Sequence, residues 1–111
     1  MDNLWVAYSV DHEKGDIAQI LGCFNSKERA YEKILSSMQS IFQIYCLDEG
    51  HIHTILRDPR FSAYDENITW NDIQKILEKE LVKKKSVFFW NDIYYTQLCK
   101  KESPGSYLPK H

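Results

Sequence analysis

Two β-prone runs stand at each end of this chain and two stretches of helical period lie between them, an order that leaves few ways to build a core. Residues 4–10 alternate Leu4, Val6, Tyr8 and Val10 against Trp5, Ala7 and Ser9. Residues 17–24 set Ile17, Leu21 and Cys23 against Ala18, Ile20 and Phe24. Both faces of each run carry apolar groups, so the pattern predicts strands covered on both sides. The charged stretch Asp11-His12-Glu13-Lys14-Gly15-Asp16 between them reads as a hairpin loop. Residues 86–90 and 93–100 form the second β pair.

Between the pairs, Asn25-Ser26-Lys27-Glu28 places an N-cap oxygen three residues before an acid, a variant of the capping box. Ala30, Ile34, Leu35, Met38, Ile41 and Phe42 follow at helical spacing, predicting a helix from about Ser26. Its end stays open: Tyr45, Cys46 and Gly50 extend and cap the stripe, yet residues 41–45 also suit a strand. Residues 51–56 read as a short strand stopped by Arg57-Asp58-Pro59-Arg60, with an ordered loop beyond it pinned by Phe61 and Tyr64. A second helix starts at Thr69, carries Ile73, Ile76, Leu77 and Leu81 on one side, and closes on Lys83-Lys84-Lys85, where cations suit the helix dipole.

The expectation is one α+β domain over residues 1–102, with a mainly antiparallel sheet and two amphipathic helices in the order ββα-(β)-αββ. A turn-rich tail, residues 103–111, is expected to fray. At 111 residues there is no room for two independent cores.

The tetrapeptide Trp-Asn-Asp-Ile occurs at residues 70–73 and again at residues 90–93. The first copy follows Thr69 and suits a first helical turn, while the second suits a hairpin with Asn91-Asp92 as its two-residue turn. Their flanks share nothing, so the repeat reads as one local chemistry used in two settings.

Three cysteines without close spacing, Cys23, Cys46 and Cys99, offer neither a zinc ribbon nor a redox pair. They fit a reducing cytoplasmic or nuclear compartment, an expectation to which the acidic-polar start and the lack of a ~20-residue apolar stretch contribute. A formal net charge of −2 argues against wholesale nucleic-acid binding. Basic residues Arg57, Arg60, Lys83–Lys85, Lys100 and Lys101 could still hold a single strand weakly if they converged beside Tyr94, Tyr95 or Phe61.

His51 and His53, two apart on a strand, would face one metal ion, with Cys46, Asp48 and Glu49 near in sequence. The same residues could make a small metal-assisted or thiol hydrolase of His51, His53 and Cys46, oriented by Asp48. No GxSxG, Walker or GxGxxG pattern accompanies them, and no cofactor is expected.

The richest signal is aromatic. Val87-Phe88-Phe89-Trp90 and Ile93-Tyr94-Tyr95 place rings on both faces of the second hairpin, more than one face of a thin sheet needs for its own core. An uncovered face exposing Phe88, Trp90, Tyr94 and Tyr95 would mark an interface. The opening residues Trp5-Val6-Ala7-Tyr8, then Gly22-Cys23-Phe24-Asn25-Ser26 and Ala30, resemble small uncharacterised proteins of phages and large DNA viruses. That resemblance implies a viral accessory protein and no activity. The resulting expectation is a non-enzymatic interaction module that binds another protein or itself, a homodimer included, with no membrane partner.

Overall fold

The computed structural model describes residues 3–100; the tail 103–111 lies outside the described residues. Four strands, β1 (Asn3–Asp11), β2 (Ile17–Phe24), β3 (Ser86–Phe89) and β4 (Asp92–Lys100), accompany three helices, α1 (Lys27–Ile41), α2 (Ile52–Leu56) and α3 (Trp70–Lys84). The sheet order is β2-β1-β4-β3 and every pairing is antiparallel, so the chain has an α+β fold.

Ser26, not Asn25, caps α1: its hydroxyl accepts the Arg29 N–H at 3.2 Å. The buried stripe Ala30, Tyr31, Ile34, Leu35 and Met38 faces the sheet. The helix then continues without a break into a π-helical segment, Phe42–Asp48, which resolves the helix-or-strand choice in favour of helix. Phe42 and Cys46 carry the apolar stripe onward, and the left-handed Gly50 (φ 79°) ends it.

Residues 51–56 are not a strand. His51 precedes the short helix α2, and Ile55 alone from that helix is buried. A single 3-10 turn, Pro59–Phe61, follows, capped by Asp58. Phe61 is wholly buried and pins this segment, whereas Tyr64 stays exposed. Helix α3 starts as the first WNDI copy predicts. Thr69 and Asp72 form a reciprocal capping box, and hydrogen bonds from Thr69 hold the Asp72 carboxyl below the usual carboxylate range. The helix ends at Lys85, which takes a left-handed conformation (φ 65°) and donates its N–H to Leu81 O.

The second WNDI copy makes the β3–β4 turn one residue earlier than the sequence suggests. Phe89 pairs with Asp92, so the two loop residues are Trp90 and Asn91. Trp90 has φ 62°, a positive value at the first loop position as in type II′ turns. A bulky residue rarely holds such a φ, and here its indole stacks on Tyr45 of the π-helical segment at 5.5 Å.

The helices lie on one face of the sheet. Ala7 and Ser9 of β1, Tyr94 of β4, and Val87 and Phe89 of β3 point into that layer and are buried, against α1 and α3. Gly22 of β2 sits opposite Ala7 on this side with φ 148°, and a Cβ there would meet the Phe24 ring at 3.0 Å.

Arg60 ties the 3-10 turn, α3 and β3 together. Its guanidinium donates to Asp58 Oδ2 at 2.8 Å, to Glu80 Oε1 at 3.1 Å and to the Phe88 carbonyl at 2.8 Å. Burial alone would raise the Asp58 carboxyl, but hydrogen bonds from the Arg60 side chain and backbone, and its charge, outweigh this and hold it low. That contribution to stability is therefore present above the ordinary value of 3.8 and is lost as pH falls through the lower folded value. Arg60→Ala leaves two half-buried carboxylates and a strand carbonyl unpaired. It should cost about 3 kcal/mol in urea unfolding at pH 7, with Arg60→Lys recovering only part because an ammonium lacks the planar fork. An unchanged midpoint for Arg60→Ala would contradict this role.

Candidate protein-interaction face

Strand alternation sends half of each strand away from the helices. Val6 pairs with Cys23 and Gln97, Tyr8 with Ile20 and Tyr95, and Val10 with Ile17 and Ile93; Phe88 continues that last row. No described element packs over these rows, since α1 and α3 both contact the opposite face. The double cover suggested by the apolar pattern of β1 and β2 is thus absent among the described residues. Among the described residues, one side of the sheet is open.

This open side is mostly apolar, with Gln97 and Ser86 as polar members, and is free of charge along its described strand positions. Ile17 and Ile20 are 62% and 66% exposed and project along the β2 edge. They also form one wall of a groove of about 410 Å³ that runs over β1, floored by Val6, Tyr8 and Val10 and bounded on the other side by Gln97 and Cys99. Tyr8 and Tyr95 stack at 5.3 Å across the two central strands, and the Tyr8 hydroxyl meets Gln97 Oε1 at 3.4 Å. His12 lies against the Phe88 ring at 4.9 Å, at the rim. The charged β1–β2 loop closes that end, where Asp11 Oδ1 accepts the N–H groups of Glu13 and Lys14 at 2.9 Å each.

The structure divides the four aromatic residues singled out from sequence. Phe88 and Tyr95 lie on the open face. Tyr94 points the opposite way, is 3% exposed, and has its phenol pushed up to about 12, chiefly by burial and secondarily by Asp92. Trp90 belongs to the turn, where its stack on Tyr45 makes it a tether between hairpin and helix layer. Neither is available to a partner docking on the open sheet face. Sequence reasoning missed Ile17, Ile20, Val6 and Val10 as face residues, although the alternation that places them was visible.

The histidine site does not assemble. His51 precedes α2 and His53 lies within it, so the two do not share the single face that a strand would give them. His51 Nε2 lies 3.7 Å from Glu49 and His53 Nε2 lies 3.6 Å from Glu66, both in solvent. Among the described residues no group of three His, Cys, Asp or Glu could hold a metal ion. Cys46 is buried, and burial pushes its thiol up to about 11, which suppresses the thiolate a hydrolase would need.

Of the nucleic-acid constellation, Lys101 lies outside the described residues, and several of the described members are already engaged. Arg60 is neutralised by Asp58 and Glu80, Phe61 and Tyr94 are buried, and Lys84 leans toward Glu80 at 3.8 Å. No helix among the described residues is long and apolar enough to cross a membrane. No family model matches the chain, and neither the curated proteins nor the solved structures contain a significant match to it.

Cys46 offers a direct check on the core side of this arrangement. Between the ordinary thiol value of 9.0 and about 11 the folded state retains a proton that the unfolded chain releases, so stability should fall as pH rises through that window. At neutral pH, mass spectrometry after maleimide treatment of the folded protein should find Cys46 unmodified. It should become labelled only on unfolding in urea. Labelling of Cys46 under native conditions would refute its enclosure.

Proposed function

We propose that this chain is a non-enzymatic protein-interaction module that works through the open face of its sheet. The observation that carries this reading is the pair Ile17 and Ile20, exposed along one wall of an apolar groove on a face with no charged strand residue. Contiguous apolar surface of this kind marks association sites, because water contact with it is unfavourable by roughly 25 cal/mol per Å².

Chemistry finds less support. A cleft bordered by Thr54, Pro59, Glu80 and Trp90 contains Arg60, which is already committed to Asp58, Glu80 and Phe88. It offers no nucleophile with a base beside it. The likeness of the first third of the chain to small proteins of phages and large DNA viruses adds support for an accessory or minor structural component acting by contact.

Ile20→Glu tests the reading with little risk to the fold, since the side chain is mostly in water; the stability change should stay within about 0.5 kcal/mol. Partner capture from the native cell and self-association by light scattering should both be measured. At least one should be present for the natural chain and reduced at least tenfold in the variant. If neither is altered, the open face is not the working surface.

A further inference from the structure

The open face carries both a projection and a receptor. Ile17 and Ile20 stand out at its β2 side as a ridge, and the inner flank of that ridge is one wall of the groove over β1. A two-fold interface requires this combination, because the same patch must serve as both halves. An uncharged face also complements another uncharged face, without selecting for acidic or basic partners. Size agrees: four strands spaced about 4.8 Å apart, rising about 3.3 Å per residue, present a flat footprint of about 500 Å². Side-chain relief adds to that area, so burial of the whole face approaches the lower end, about 600 Å² per partner, of what specific dimers bury.

Pairing through a strand edge fits less well. The Phe88 carbonyl on β3 is occupied by Arg60 at 2.8 Å. Register shifts opposite Ala7/Tyr8 and Ser9/Val10 interrupt β2, and such bulges discourage edge-to-edge addition.

We propose that the occupant of the open face is a second copy of this chain, packed sheet against sheet about a two-fold axis, with Ile17 and Ile20 of each copy seated in the groove of the other. This rests on the interaction-module reading and specifies its partner. Two thiols report on it. Cys23 pairs with Val6 and Cys99 with Leu4 on this same side, and both are exposed in the single chain, while Cys46 is enclosed in the core.

The test combines mass with thiol protection. The full chain, kept reduced, is examined by light scattering over a dilution series, and maleimide labelling rates are read residue by residue by mass spectrometry. The expected result is a mass rising to twice the monomer value, with labelling of Cys23 and Cys99 slowing at least tenfold over the same concentrations. Ile20→Glu and Ile17→Glu, each verified as folded by circular dichroism, should remain monomeric and label at the fast rate throughout. Monomeric mass with concentration-independent labelling overturns the proposal, as does a dimer that persists in both variants. If the monomeric natural chain still captures a cellular protein that Ile20→Glu does not, self-pairing fails while the interaction-module reading stands. Loss of neither mass nor capture in the variants defeats both.

Discussion

The first and last strands pair along their whole length in the middle of the sheet, and the rest of the molecule is arranged around that contact. β1 and β4, nine residues each, match from Asn3 opposite Lys100 to Asp11 opposite Asp92. Closing the chain over such a separation costs conformational entropy before any contact returns it. Once it is made, β2 and β3 fall on the two outer positions as hairpin partners of the central pair. All three helices are then confined to the connection between β2 and β3. One connection supplies one layer, and that layer covers one face. Ala7 and Ser9 on the covered side of β1 are small, which lets the helices approach the sheet closely.

Among the described residues, the second face stays uncovered because this connection lays its helices on one side only. Had the connection split its helices between the two sides, the apolar residues of β1 and β2 would have been enclosed on both. Instead the outward rows keep apolar side chains, Val6, Val10, Ile17, Ile20 and Ile93, where a sheet facing only water would alternate to polar ones. In an isolated chain that surface stays partly in water and favours association. Retaining it makes physical sense when another surface covers it.

Much of the fold is legible in the sequence because several signals coincide. Period-two runs, a capping box at Thr69 and a helical stripe from Ala30 to Met38 each point to the observed element. The failures have specific causes. Residues 51–56 are rich in β-formers, and a helix as short as α2 has little periodicity to display. The proposed metal pair fell with that assignment, since two residues apart means one face only on a strand. The hairpin turn was displaced by one because Asn-Asp is the better local turn former, yet the Trp90–Tyr45 stack and the pairing of Phe89 with Asp92 place Trp90 in the loop. The rings of the second hairpin divide between the two faces, because pattern alone shows which residues share a side and not which side the helices take.

That ambiguity is physical as well as interpretive. In Val87-Phe88-Phe89 and Ile93-Tyr94-Tyr95, neighbouring residues are nearly equivalent in size and polarity, so a slip of one position would exchange buried rings for exposed ones at small hydrophobic cost. Burial cannot by itself select the register. The polar and steric details must, and the structure supplies them. Arg60 reaches the Phe88 carbonyl while held by Asp58 and Glu80, which ties β3 to α3 at one position along its length. Lys85, in its left-handed turn, accepts the Thr96 N–H through its carbonyl and aligns the start of β3 with β4. At the far end the Asn91 carbonyl accepts the His12 N–H at 2.9 Å, locking the hairpin tip to β1. These three hydrogen-bonded points, spaced along one short hairpin, decide that Phe89 and Tyr94 fill the core. The same choice leaves Phe88 and Tyr95 on the face that looks outward, so the composition of the interaction surface is set by groups that are not part of it.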